Sequence, residues 1–156
     1  MKIIKEKVDL DSFVGQEQVK KYVKIMVEDA LCNKKLLPHL LLIGPPGVGK
    51  TTFVRALYLT LKRDIKDLEL IVSPTGRGVF DENSIKNQLA RAGNRETIFF
   101  FDEAHYLKPQ LQETLYEVMD NRKITVTKGG TKFVVELPPI TVIAATTEPG
   151  KLLSPF

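Results

Sequence analysis

The chain has 156 residues, 43% of them hydrophobic and 27% charged, a balance typical of one soluble domain rather than a disordered or fibrous protein. No apolar run reaches the ~18 residues that a membrane helix needs, and residues 1–7 lack the apolar core of a secretion signal, so we expect a cytoplasmic protein without a membrane partner. The net charge of +4 permits a nucleic-acid partner but does not require one.

Hydrophobic periodicity, broken by glycine and proline, predicts helices and strands that alternate along the chain. Helices are expected at residues 16–31, 51–61, 84–92 and 109–119. Apolar strands are expected at residues 39–43, 68–72, 97–101 and 140–145, and a β-hairpin at 123–127 and 131–137 around the turn 128–130. This alternation predicts an α/β domain with a mainly parallel sheet.

Residues 44–51 fit the phosphate-loop pattern G-x-x-x-x-G-K-[ST], directly after a predicted buried strand and at the start of a predicted helix. Glycines let backbone N–H groups encircle phosphates, Lys50 reaches the β and γ oxygens, and the Thr51 hydroxyl can bind Mg²⁺. An ordinary Gly/Pro turn, the alternative, would need neither Lys50 nor Thr51. The predicted nucleotide-binding residues are Gly44, Pro45, Pro46, Gly47, Val48, Gly49, Lys50, Thr51 and Thr52.

Two carboxylates follow the apolar strand 97–101 and resemble a Walker B motif. Asp102 is expected to help hold Mg²⁺, and Glu103 to polarise the water that attacks the γ-phosphate. Acidic residues at a strand end are usually solvated turn residues, but a phosphate loop in the same chain weakens that alternative. The interval between Lys50 and Asp102 has room for one more strand and helix, so the two motifs need not lie on adjacent strands.

Two further polar residues lie near the predicted site. Thr146 ends the fourth apolar strand, where its hydroxyl can hydrogen-bond the γ-phosphate or the attacking water; a simple capping role is equally compatible with that position. His105 is expected to be structural or to link the motif to the next helix.

Six segments together resemble the RuvB branch-migration motors of the AAA+ ATPases: 13–21, 44–51, 101–105, 115–120, 144–147 and 152–156. The resemblance implies a P-loop NTPase fold of the AAA+ type, a three-layer αβα domain with the phosphate-loop strand at the centre of its sheet. It also implies that ATP and Mg²⁺ are bound, that Val14 and Gly15 help to wall the adenine pocket, and that Thr146 is the first sensor residue.

The resemblance also implies partners. Family members assemble into a hexameric ring that pumps DNA at Holliday junctions, and a hairpin in the place of Lys123 to Leu137 binds RuvA. Because the hairpin carries Lys123, Lys128 and Lys132, DNA contact is a second possibility and a plain solvated hairpin a third.

A full family member is expected to continue past Phe156 into a trans-acting arginine, a fifth core strand, a helical lid and a DNA-binding winged helix. We therefore interpret residues 1–156 as an AAA+ core that is incomplete at its carboxyl end: a fragment, a truncated gene product or one piece of a split protein. Without the fifth strand, the apolar strand 40–43 is expected to lie unprotected at a sheet edge.

The leading hypothesis is therefore an ATP-hydrolysing core of a RuvB-like DNA motor, with weak turnover because the trans-acting arginine is not part of it. A second hypothesis is a non-catalytic module that uses ATP as a ligand and docks on a complete ring ATPase. A third is the ATPase of a clamp loader or helicase loader.

Overall fold

The computed structural model of the chain describes residues 8–73, 82–91 and 93–152. The helices are α1 Glu17–Asn33, α2 Lys50–Leu61, α3 Glu82–Arg91 and α4 Pro109–Asn121. The strands are β1 Leu40–Ile43, β2 Glu69–Ser73, β3 Thr97–Phe101, β4 Lys123–Lys128, β5 Thr131–Glu136 and β6 Ile140–Thr146. Every predicted helix and strand is found, and the observed ends differ from the predicted ones by no more than two residues. Ala92, the end of one predicted helix, and residues 153–156 of the family-like segments lie outside the described residues.

A four-stranded parallel sheet in the order β1-β6-β3-β2 forms the centre of the domain. Its middle strands β3 and β6 are buried along their whole length, because helices cover both faces of the sheet. Side chains alternate between the faces: Phe100 packs with α1 and α2, whereas Phe99 and Phe101 pack with α3 and α4. These two clusters make the predicted three-layer αβα architecture.

The strand that precedes the phosphate loop lies at an edge of the described sheet, not at its centre. β1 pairs only with β6, through contacts such as Leu41 opposite Ala144, and no described strand pairs with its other side. A central position would need a partner strand there. Leu40 to Leu42 are half-buried and Ile43 is exposed, so the expectation that strand 40–43 lies at a sheet edge is confirmed for the described sheet. β6 separates β1 from β3, so the two nucleotide motifs lie on non-adjacent strands, as the spacing between them allows.

The predicted hairpin is a separate two-stranded antiparallel sheet made of β4 and β5. Its base packs on the domain, because Ile124 and Leu137 are buried in the cluster beneath α4. Its outer part extends into solvent: Phe133 is 51% and Val134 66% exposed. The hairpin therefore presents apolar side chains at the surface of the domain.

Across the described ranges, no helix has the length and apolarity needed to cross a bilayer.

Candidate functional site

The phosphate loop connects the end of β1 to the first turn of α2, and its shape depends on two glycines. Gly47 has φ 80° and Gly49 has φ 87°, in the left-handed region where a side chain is strained. No side chain caps the amino end of α2 at Gly49. The first N–H groups of the helix are therefore available to an anion, and the helix dipole adds positive potential at the same place.

Lys50 lies folded over this loop. Its Nζ donates hydrogen bonds to the carbonyl oxygens of Gly44 at 2.8 Å and Pro45 at 3.0 Å. The ammonium group is thus held at the mouth of the loop by two neutral acceptors, which charged phosphate oxygens outcompete. The position fits the predicted role of Lys50 as a phosphate ligand.

Thr51 and Asp102 are 51 residues apart in the chain but are in direct contact. The Thr51 hydroxyl donates to Asp102 Oδ2 at 2.5 Å, and Asp102 Oδ1 accepts the backbone N–H of Glu103 at 3.1 Å. A hydroxyl and a carboxylate side by side form a set of hard oxygen donors that fits Mg²⁺. Within the described ranges no three His, Cys, Asp or Glu side chains cluster into a metal cage. Mg²⁺ usually takes one or two protein ligands and completes its shell with phosphates and water.

Glu103 has an unusual backbone, with φ 55° and ψ 48° although it is not glycine. A left-handed residue of this kind costs about 1–2 kcal/mol, so the surrounding structure must impose it. The conformation turns the chain sharply from the end of β3 into the 3₁₀ turn Ala104–Tyr106. The Glu103 side chain stays 30% exposed, and therefore within reach of solvent water.

Thr146 ends β6 beside the phosphate loop, and its carbonyl accepts the N–H of Gly44 at 3.2 Å. Its side chain is fully buried, and its hydroxyl oxygen lies 3.0 Å from Nδ1 of His105 and 3.0 Å from the backbone N of Glu148. The other ring nitrogen of His105, Nε2, lies 3.3 Å from Glu103 Oε2. The contact between His105 and Thr146 was missed by sequence reasoning, because no local pattern indicates a contact across 41 residues.

A cavity of about 520 Å³ opens beside the phosphate loop. Its walls include Phe13 and Gln16, which precede α1, together with Val19 of α1, residues of β1, and Phe53 of α2. Val14 and Gly15, which were predicted to wall the adenine pocket, lie between Phe13 and Gln16 but are not among its described lining residues, and Val14 is 92% exposed. A largely apolar cavity that adjoins a phosphate-binding loop has the form of a nucleoside pocket.

A family model described as the Holliday junction DNA helicase RuvB P-loop domain matches residues 6–156. The chain belongs to the RuvB family. The match includes the loop and turn segments that carry Lys50, Asp102 and Thr146, so the geometry described above is that of a RuvB P-loop domain.

Relatives with established names are similar over most of this chain. The RuvB subunit of the Holliday junction branch migration complex from Prochlorococcus marinus is 38% identical over 152 residues, which cover 94% of this chain and 40% of that protein. The corresponding subunit of Treponema pallidum is 34% identical over 151 residues, covering 94% and 41%. The chain thus spans less than half the length of these curated relatives.

Solved structures agree in fold. The Thermotoga maritima RuvB Holliday junction branch migration motor matches with a TM-score of 0.73 at 30% identity, covering 94% of this chain and 43% of that one. A point mutant of the same protein matches with a TM-score of 0.75 at 31% identity, covering 94% and 44%. The predicted P-loop NTPase fold of the AAA+ type is confirmed.

Proposed function

We propose that this chain is the ATP-binding and ATP-hydrolysing core of a RuvB-like motor that acts on branched DNA. The observation that carries the proposal is the contact between Thr51 and Asp102, which joins the phosphate loop to the carboxylates after β3. Lys50 directly precedes Thr51 in the chain, and Glu103 directly follows Asp102. Membership of the RuvB family supports the choice of reaction and of DNA as the partner.

The proposed mechanism assigns one task to each group. Lys50 and the N–H groups at the start of α2 bind the β and γ phosphates of ATP. Thr52, in the same first turn of the helix, belongs to this phosphate-binding segment. Thr51 and Asp102 would hold Mg²⁺, which would supply charge neutralisation on the phosphates. Glu103 accepts a proton from the attacking water and orients it, and the Thr146 hydroxyl hydrogen-bonds the γ-phosphate or that water.

The adenine base is proposed to occupy the cavity beside the loop. Phe13 and Val19 provide apolar walls there, and Gln16 provides a polar edge. Val14 and Gly15 then shape the pocket through the backbone between these residues, since Gly15 has φ 87° and Gln16 φ 53°.

Assembly of several chains into a ring is part of the same proposal, since a cation from a neighbour commonly raises phosphoryl transfer by about 10³-fold or more. We expect Mg-ATP turnover per chain to rise with protein concentration. The measurement is a steady-state phosphate-release assay over a wide concentration range, with Glu103→Gln as the blank. Turnover at the level of the blank at every concentration, with nucleotide still bound, would contradict hydrolysis by this chain and support the non-catalytic docking module instead.

The hairpin β4–β5 is proposed to bind a RuvA-like protein partner. Phe133 and Val134 are exposed apolar residues near its outer part, which suit a protein surface better than phosphates. Phe133→Asp is expected to weaken binding of purified bacterial RuvA by about 10-fold or more, measured by biolayer interferometry. Lys132→Ala is the matched control on the same strand. If Phe133→Asp left RuvA binding unchanged and Lys132→Ala weakened binding to DNA, the result would favour the DNA-contact alternative.

A further inference from the structure

His105 lies among the residues proposed for hydrolysis, and its side chain is only 2% exposed. Each ring nitrogen faces a different partner. Nδ1 lies 3.0 Å from Thr146 Oγ1, and Nε2 lies 3.3 Å from Glu103 Oε2 and 3.7 Å from Glu148 Oε1. One imidazole therefore bridges the end of β6 and the turn after β3.

The neighbours of the ring determine which nitrogen carries the proton. Carboxylate oxygens only accept hydrogen bonds, so Nε2, which faces Glu103 and Glu148, carries an N–H. In a neutral ring Nδ1 is then an acceptor, and the Thr146 hydroxyl donates to it. The hydroxyl oxygen also accepts the N–H of Glu148. The hydroxyl proton and one lone pair of Thr146 are then engaged, and the second lone pair is left to accept a hydrogen bond from the attacking water, whereas a γ-phosphate oxygen would need the proton that His105 accepts.

We infer that His105 is a positioning residue that couples the Thr146 hydroxyl, its hydrogen-bond partner at Nδ1, to the Glu103 carboxylate, which lies 3.3 Å from Nε2. The inference rests on the proposed function in the form where Thr146 and Glu103 both contact the attacking water. A partly exposed carboxylate with several rotamers acts on that water in only a fraction of its conformations. Nε2–H of His105 restricts those conformations, and the Tyr106 ring, with its centroid 4.3 Å from the imidazole, packs against the histidine in turn.

Three substitutions of His105 separate its two contacts. His105→Asn keeps an acceptor near the position of Nδ1 and therefore a partner for Thr146. His105→Gln reaches with its amide to the position of Nε2 and therefore keeps a donor for Glu103. His105→Phe keeps the ring volume and loses both contacts. We expect His105→Phe to bind Mg-ATP with wild-type affinity but to lower kcat roughly 10- to 100-fold, with partial recovery in the Asn and Gln variants.

His39→Phe is the matched control, because it makes the same substitution at an exposed histidine outside the proposed site. We expect it to change kcat by no more than about twofold. Melting temperatures are recorded for all variants. A fall in kcat, nucleotide affinity and melting temperature together in His105→Phe, without recovery in the Asn and Gln variants, would overturn the inference and make His105 a purely structural residue.

A second readout does not depend on turnover. The chemical shifts of imidazole nitrogens report which nitrogen is protonated, and the chain contains only two histidines, so comparison with His105→Phe assigns the signals. We expect His105 to carry its proton on Nε2 and not on Nδ1. Thr146→Val and Glu103→Gln should each shift the His105 nitrogens. The signals of His39 should stay in place, because that ring lies before β1, where its Nδ1 accepts the N–H of Val142 at 2.9 Å.

A ring protonated on Nδ1, or His105 shifts that neither variant changes, would overturn the inference. If the wild-type chain releases no more phosphate than Glu103→Gln, hydrolysis by this chain fails as a proposal, while the nitrogen shifts still decide whether His105 joins the two side chains. The two failures are therefore distinguishable.

Discussion

Replacing Lys50 with methionine is expected to abolish nucleotide binding. Methionine keeps most of the side-chain volume but loses the ammonium group that lies 2.8 Å from the Gly44 carbonyl at the mouth of the loop. Charge-assisted contacts to two phosphates are each stronger than neutral hydrogen bonds, so the affinity for Mg-ATP should fall by about 100-fold or more. Titration calorimetry of the wild-type and substituted chains with Mg-ATP measures the change.

The matched control for that prediction is Lys35→Met. Lys35 is an exposed lysine after α1, away from the loop, and its replacement changes the net charge by the same amount. We expect the control to bind Mg-ATP as the wild type does. Equal losses in both variants would mean that only the overall positive charge matters, and unchanged binding in Lys50→Met would contradict the assignment of the phosphate site.

Glu103→Gln is expected to keep Mg-ATP binding and to remove nearly all hydrolysis. The amide preserves the size of the side chain, and its N–H₂ and C=O cannot accept the proton of the attacking water. Loss of a general base typically lowers the rate by about 10²- to 10⁴-fold. Phosphate release and Mg-ATP affinity are both measured on the same samples. The protein concentration is the one at which wild-type turnover per chain is highest.

Glu113→Gln, an exposed carboxylate on α4, is the control for this substitution. It should leave both the affinity and the turnover within about twofold of wild type. If Glu103→Gln hydrolysed ATP at the wild-type rate, another group would have to be the base. If Glu103→Gln lost nucleotide affinity as well, Glu103 would have a structural role in the turn after β3. The left-handed backbone of Glu103 is the reason to test that alternative.

Most of the helices and strands could be predicted because their signals are local. The apolar run of β3 and the glycine and proline residues around the phosphate loop each determine structure within a few residues of themselves. The patterns that indicate the site are equally local. They are a glycine-rich loop followed by Lys50 and Thr51, and two carboxylates after an apolar strand. Their chemistry limits which ligands they can bind, whatever the strand order.

The arrangement of these parts depends on contacts between distant segments. Insertion of β6 between β1 and β3 follows from pairing such as Phe99 with Val142, which no window of the sequence contains. The same pairing places Thr146 next to the phosphate loop and within reach of His105. Sequence reasoning assigned His105 to structure or to a helix link, because the Thr146 hydroxyl that its ring contacts is 41 residues away in the chain.

The sequence by itself determined the αβα class, the order of elements, the phosphate loop and the two carboxylates, since each is encoded in consecutive residues. Only the tertiary structure decided that β6 lies between β1 and β3, that Phe13 and Gln16 line the cavity beside the phosphate loop, and that the His105 ring lies close to both Thr146 and Glu103. The physical reason is that strand order and side-chain contacts depend on how apolar surfaces from distant segments pack together. That packing is determined by the free energy of the whole domain, which no short stretch of sequence contains.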